Sequence, residues 1–372
     1  MNVLVTGADG FIGKNLLEAL KRLDNITVQT FTRKNSLKDL DTFLDSVDLI
    51  YHLAGVNRSK DKDEFNKDNV ALIENMIRML RRKKRKPTII FSSSTQAKND
   101  TPYGRSKRKA EIELIQYAKE LDIQLYIYRL PNVFGKWCRP NYNSVVATFC
   151  YNISHDLEIT INNPAVELDL VYIHDVIDEF IQVMKDKQPK QKQTTYFFEV
   201  SPVHKLTLQR LADTLYQFKN MRENLWVPDF SDPLTEALYS TYLSYLDEHD
   251  LSYKLDMKVD HRGSLAELFK SSYFGQIFVS KSKQGVVRGN HYHDHKVEKF
   301  CVINGQAEVK LRSVLSRHVV SYVVSGNKLE IIDIPPGYTH SLENLTDQEL
   351  TVLFWANEAF DPKNPDTYNN EV

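Results

Sequence analysis

The sequence predicts an α/β unit with a doubly wound parallel sheet, followed by an all-β unit. Two patterns and the chain length carry this. Short apolar runs alternate with helical periodicity through the first part of the chain, starting with NVLVT, a glycine turn and KNLLEALKRL. From Asp260 the pattern changes to short alternating runs, QIFVS, EKFCVI, AEVKLR, HVVSYVV, LEIIDI and LTVLFW, broken by Gly, Asn and Asp, as in a β-sandwich or small barrel. A chain of 372 residues is long enough for two cores, and the boundary is placed between units 1–245 and 246–372.

With 42% hydrophobic and 26% charged residues the composition is that of a globular protein. A formal net charge of −1 supplies no general attraction to nucleic acid or anionic membrane. No apolar run approaches the ~18 residues of a membrane span, and Met1 leads directly into a strand pattern, so neither span nor signal peptide is expected. Cys138, Cys150 and Cys301 are scattered, which fits a reducing compartment. The expected location is the cytoplasm.

The first strand runs into Gly7-Ala-Asp-Gly10-Phe11-Ile12-Gly13 and then a helix. Glycines at this point let the backbone approach a pyrophosphate lying at the helix N-terminus. A P-loop is excluded, because Ala8 takes the place of its first glycine and Asn15 follows Lys14. The second strand, TVQTF, ends in Thr32-Arg33-Lys34 with no acid to hold a ribose hydroxyl, so Arg33 points to a 2′-phosphate and NADP(H). The third strand, in DLIYHLAG, ends in small residues that place Leu53 and Ala54 beside the cofactor. An amphipathic helix is expected from about Glu64 to Arg82, and the basic run 81–86 reads as its solvated end, favoured by the helix dipole.

A fourth strand, TIIF, precedes Ser92-Ser93-Ser94-Thr95 and then Tyr103 and Lys107. Tyr and Lys four apart on a helix share a face, and a nearby ammonium is expected to lower the phenol's pKa toward working pH for proton exchange with a carbonyl or alcohol oxygen. A hydroxyl at the strand's end, Ser94, Ser93 or Thr95, can bond the same oxygen.

TGADGFIG, HLAG, FSSS, the Tyr103/Lys107 pair, YRLPNVFG and DLVYIHD together resemble, in order, the motifs of the extended short-chain dehydrogenase/reductase family, with its Rossmann-type fold. The resemblance implies a hydride carrier on the glycine turn, Tyr103 as acid/base, Lys107 on the nicotinamide ribose and Ser94 orienting the substrate, mostly a nucleotide sugar. The loop between serine and tyrosine is shorter than in most relatives. Asn132 and Asn143 are candidate substrate contacts, and Asn143, at an expected helix start, is equally a candidate N-cap. The helix from Asp175, the strand in TYFFEV and the helix Thr207–Phe218 complete the unit. Residues 220–258, with Pro228, Pro233 and STYLSY, read as an irregular connector with a short helix.

In the second unit, His291 and His293 lie one residue apart on a strand and share a face, with Glu298 on the next strand and His340 further on. Such a set suits Zn, Fe, Ni or Mn. Gly285, His291, His293, Glu298 and Gly305, then Pro335, Gly337, His340 and Asn344, resemble the two motifs of the cupin family, a jelly-roll or double-stranded β-helix. Leu329 replaces the usual opening glycine of the second motif. His295 is taken as a bystander. DHRGSLAE resembles nucleotide-sugar 3,5-epimerases, which makes Arg262 a candidate diphosphate contact.

Finally, GKWCRPNYNSVVATFC, LYSTYLSYL, GNHYH and FDPKNPDTY extend the resemblance over essentially the whole chain to a family of bifunctional capsular polysaccharide enzymes. That resemblance implies zinc, a homodimer, and a UDP-2-acetamido-2,6-dideoxy-4-ketohexose as substrate. The cupin would epimerise C3, and the reductase would then reduce C4 with NADPH to UDP-2-acetamido-2,6-dideoxy-L-talose, on the route to UDP-N-acetyl-L-fucosamine. The alternatives are a single-activity ketosugar reductase whose cupin only dimerises, and a non-catalytic sensor.

Overall fold

Strand β1 (Asn2–Thr6) is apolar along almost its whole length and pairs in parallel with β2 (Thr27–Phe31) on one side and β3 (Leu49–His52) on the other. The sheet continues through β4 (Thr88–Ser94), β5 (Leu125–Leu130) and β8 (Phe197–Phe198), in the order β2-β1-β3-β4-β5-β8, with every pairing parallel. A strand buried on both faces needs apolar residues at consecutive positions, and these strands have them. Leu4, Ile50, Ile89 and Ile127 face the helices Leu72–Lys83 and Pro102–Leu121, while Val3, Val5, Tyr51 and Ile90 face the helices Phe11–Leu20 and Ile173–Lys185. The chain leaves β1 to one side and returns to its other side. The mouth between β1 and β3 is therefore the switch point at which such sheets bind ligands.

The computed structural model describes residues 1–57, 67–185 and 195–372. The expected start of a helix at Glu64 lies outside the described residues; within them a π-helical turn, Lys67–Ala71, runs into Leu72–Lys83. The helix expected from Asp175 begins at Ile173, and the one expected to end at Phe218 runs on to Asn224. A small sheet joins β6 (Asn132–Phe134), β7 (Glu167–Tyr172) and β9 (His204–Thr207).

Packing divides the chain into two units. Met1–Tyr216 with Glu236–Leu246 form one; Gln217–Thr235 with Asp247–Val372 form the other. The segment 217–235 is tied into the second unit by Leu225 and Val227, which hydrogen-bond the backbone of Lys270.

The second unit is a sandwich of two antiparallel sheets. The first holds β10 (Met257–Asp260), β11 (Gly263–Ser271), β12 (Gly275–Ser282), β19 (Leu350–Ala356), β14 (Glu298–Asn304) and β17 (Ile331–Ile334), in the order β10-β11-β12-β19-β14-β17. The second holds β16 (Val319–Ser325), β15 (Gln306–Ser313), β18 (Tyr338–Asn344), β13 (Val287–Tyr292) and β20 (Tyr368–Asn369), in the order β16-β15-β18-β13-β20. Alternate residues meet between the sheets: Phe300, Val302, Ile332 and Phe354 from one, Val309, Leu311, Val324 and Leu342 from the other. This is the sandwich that the alternating runs predicted, with the cupin-like architecture that the two motifs implied.

One glycine of the first turn is tightly constrained. A Cβ on Gly13 would lie 2.3 Å from the Gly7 carbonyl oxygen and 2.9 Å from Ala8 Cα, so the helix can pack on the turn only without a side chain there. Gly13→Ala is expected to destabilise the first unit by about 1–3 kcal/mol, the usual cost of overpacking, seen as a lower midpoint in urea unfolding.

Candidate functional site

At the switch point, Gly7 takes φ +70° and its amide donates to Phe31 O at 2.9 Å. A Cβ on Gly7 would lie 2.6 Å from Ala54 N, so the turn and the end of β3 are in direct backbone contact at Leu53 and Ala54. Gly10 precedes the helix with no side-chain cap, which leaves its first N–H groups available. Phe11 and Ile12 pack into the core beneath the turn. Arg33 is exposed in the turn after β2, where Asn35 Oδ1 accepts from Thr32 N at 2.8 Å.

The three serines of β4 have separate partners. Ser92 O accepts from Lys107 Nζ at 3.0 Å. Ser93 Oγ donates to Glu111 Oε1 at 2.5 Å, and the half-buried Arg129 reaches the same buried carboxylate with Nη2 at 2.6 Å. Ser94 hydrogen-bonds the Tyr103 phenol. Only Ser94 among the three therefore meets the tyrosine. The expected lowering of Tyr103 by Lys107 does not occur. Burial raises the phenol, and the hydrogen bond from Ser94 opposes it, because Lys107 is instead directed to the Ser92 carbonyl and over the Phe91 ring.

Lys107 is itself buried, which pushes it down to about 8, with Glu111 opposing. Beside it, His52 is fully buried and pushed down to about 3, first by burial and then by the Lys107 charge. His52 is therefore a neutral imidazole, bonded to Thr6 Oγ1 at 3.0 Å.

In the second unit, His291 of β13 pairs with His340 of β18, and Glu298 opens β14. One donor atom from each of His291, His293, Glu298 and His340 lies within 4.8 Å of all the others. His293 Nδ1 faces Asp366 O at 2.5 Å and His340 Nδ1 faces Tyr338 O at 3.3 Å. A carbonyl oxygen only accepts, so Nδ1 carries the proton in both and Nε2 keeps its lone pair. Those two Nε2 atoms are buried without a hydrogen bond of normal geometry, at 3.3 and 3.5 Å from Glu298 Oε2.

Burial pushes His340 down to about 4 and lowers His291. Burial acts the same way on His293, but the Glu298 carboxylate outweighs it and raises His293, while Glu298 is held low against its own burial by His293. Three imidazoles and one carboxylate converging with bare nitrogens fit a divalent cation. His295, the expected bystander, is exposed and turns to Glu358 and Asp366, outside this set.

Comparison with known proteins agrees with both halves. Residues 3–197 match the model of the NAD dependent epimerase/dehydratase family, and residues 258–368 match the polysaccharide biosynthesis C-terminal domain. The UDP-2-acetamido-2,6-beta-L-arabino-hexul-4-ose reductase of Pseudomonas aeruginosa is 44% identical over 368 residues, 99% of this chain and 98% of its own. The crystal structure of the capsular polysaccharide assembling protein CapF from Staphylococcus aureus superposes with a TM-score of 0.92 at 44% identity, covering 100% of both chains. The chain belongs to the CapF family. UDP-glucuronic acid 4-epimerase from Bacillus cereus, at 19% identity and a TM-score of 0.56 over 66% of this chain and 98% of its own, shares the fold alone.

Within this CapF-family chain the remaining candidates are scattered. Asn132 lies on β6 and donates to Asp169 O at 3.3 Å. Asn143 is exposed and is not the helix cap; that place belongs to Ser144, whose Oγ accepts from Ala147 N at 3.2 Å ahead of the helix Val145–Ser154. Arg262 sits in the β10–β11 turn with its Nε 2.9 Å and Nη2 2.5 Å from Asp260 Oδ2. A diphosphate there would compete with that carboxylate.

Two residues escaped the sequence reading. Asn69, on the π-helical turn, bonds both backbone groups of Val56 and donates to Ser106 Oγ at 3.0 Å. A Cβ on Gly55 would lie 3.0 Å from Asn69 Oδ1 and 3.2 Å from Lys107 Nζ, so Asn69 helps shape the wall beside the lysine. Asp366 is the other. Neither has a signal in the residues around it, because the groups each one bonds are distant in sequence.

Lys107 gives a pH test with a definite sign. The folded chain holds it at about 8 against an ordinary 10.5, so between these values the unfolded chain binds more protons. Stability from this group therefore rises with pH across that window, by roughly 3 kcal/mol. Urea unfolding of the cofactor-free protein at about pH 7.5 and about pH 10 should show the rise, and Lys107→Met should lose that component.

Proposed function

We propose that this chain is a bifunctional UDP-sugar enzyme of capsular polysaccharide precursor synthesis. The cupin unit epimerises C3 of a UDP-2-acetamido-2,6-dideoxy-4-ketohexose. The reductase unit then reduces C4 to UDP-2-acetamido-2,6-dideoxy-L-talose, on the route to UDP-N-acetyl-L-fucosamine. The observation that carries this reading is the coexistence of two separate constellations in one chain: Tyr103 bonded to Ser94 at the mouth of a dinucleotide fold, and a buried His/Glu set in the cupin. The full-length Pseudomonas relative, named as a hexul-4-ose reductase, supports the substrate class.

The order follows from carbonyl chemistry. The C3 proton is acidic only while C4 is a ketone, so epimerisation precedes reduction, and reduction then fixes the configuration. NADPH, when bound, supplies the hydride for C4. Gly7 and Gly13 allow the tight turn, Gly10 leaves the helix N-terminus open to its pyrophosphate, Arg33, exposed after β2, would take a 2′-phosphate, and Lys107 would bind the nicotinamide ribose. Tyr103 gives its phenol proton to the C4 oxygen, and Ser94, already bonded to that phenol, orients the same oxygen. His291, His293, Glu298 and His340 would hold zinc, which would supply Lewis-acid polarisation of the ketone. A homodimer and a cytoplasmic location belong to the same proposal.

Product NMR after incubation with the UDP-4-ketosugar in D2O separates the two activities. Deuterium should enter C3 without NADPH; its absence would leave a single-activity reductase with a structural cupin. The double substitution His291→Ala with His340→Ala should abolish that exchange while NADPH still binds. Tyr103→Phe should leave exchange intact and slow reduction by about 10²–10⁴-fold. Arg33→Ala should weaken NADPH and leave NADH binding nearly unchanged, measured by fluorescence titration.

A further inference from the structure

His293 and Asp366 lie 73 positions apart in sequence, yet the two are in direct contact, His293 Nδ1 donating to the backbone carbonyl of Asp366 at 2.5 Å. The Asp366 side chain reaches back to the loop that follows His293. Its Oδ1 accepts from Asp294 N at 2.9 Å, and its Oδ2 accepts from His295 N at 3.0 Å and Lys296 N at 2.8 Å. Three successive backbone N–H groups converging on one carboxylate form a nest of the kind that binds anions, and here the anion is supplied by the chain. Asp366 is 4% exposed and has φ +43°, a conformation that Asp and Asn tolerate better than other side chains. The neighbouring Pro365 carbonyl takes Lys296 Nζ at 2.7 Å, and two residues further on β20 pairs with His291 and Tyr292.

We infer that Asp366 is a positioning residue for the cation site. Its carboxylate pins the 294–296 loop, and this seats its own carbonyl against His293 Nδ1. The proton of His293 is thereby held on Nδ1, and Nε2 is turned bare toward Glu298 and His340. The carboxylate acts through the backbone and does not itself enter the set of four. An outer partner of this kind orients a ligand imidazole and sets its tautomer. This inference rests on the reading of His291, His293, Glu298 and His340 as a cation site.

Co2+ titration of the metal-stripped full chain, followed through the visible d–d bands and by competition with a chelator, tests it. Asp366→Ala should bind Co2+ about 10–100-fold more weakly than the natural chain and with altered bands. Asp366→Asn, which keeps one acceptor oxygen but brings an N–H2 toward a backbone N–H, should fall between the two. Asp361→Ala, which removes a carboxylate from the same segment that accepts from Lys363 N, outside the 294–296 loop, should bind as the natural chain does. NADPH binding and the melting temperature of the metal-free proteins report folding independently. Equal affinity and identical bands in Asp366→Ala, with or without a lower melting temperature, would overturn the positioning role alone. Failure of the natural chain to bind Co2+ would overturn the cation site and this inference with it.

Discussion

Glu298 opens a strand in the interior of a sheet, 9% exposed, with His293 and His340 nitrogens 3.3 and 3.5 Å from one of its oxygens. A carboxylate at that depth is tolerable only if something answers its charge. The imidazoles that answer it come from β18 of the other sheet and from the residue just after its β13, so the sandwich must close in a single register for the contact to exist. A one-residue slip of β13 against β18 would turn the histidines to the opposite face. The left-handed Gly289 and the irregularity between Gly289 and His291 fix that register, since a Cβ on Gly289 would lie 2.6 Å from His340 O.

The first unit solves a related problem differently. It buries a lysine, a histidine and a glutamate within one neighbourhood and gives each its own compensation. Lys107 takes a carbonyl, Glu111 takes Arg129 and Ser93, and His52 stays neutral against Thr6. Strand alternation turns the Ser93 side chain to the face opposite those of Ser92 and Ser94, and Ser94, at the C-terminal end of β4, lies beside Tyr103.

Much of this was legible in the sequence because the determinants are local. The glycine turn, the Tyr103/Lys107 pair on one helix face and the H-x-H spacing each depend on residues a few positions apart, whose geometry follows from helix and strand periods. The choice of Ser94 needed the structure, since three adjacent hydroxyls differ only in what faces them. The assumed effect of Lys107 on Tyr103 failed because sharing a helix face does not say where a long side chain ends. Asn143 missed the cap by one residue, as Ser144 beside it is an equally good capping type. Asn69 and Asp366 were invisible because their partners lie 13 and 37, or 70 to 73, positions away.

That last separation has a consequence for how the second unit matures. A cluster spanning His291 to Asp366 cannot exist in a half-formed sandwich, since closing so long a loop comes only with the pairing of β13 to β18 and β20. On the cation-site reading, a divalent ion would meet all four donors together only in the finished cavity. It would then stabilise the closed state by mass action, and selection among ions would fall to the geometry of the assembled walls.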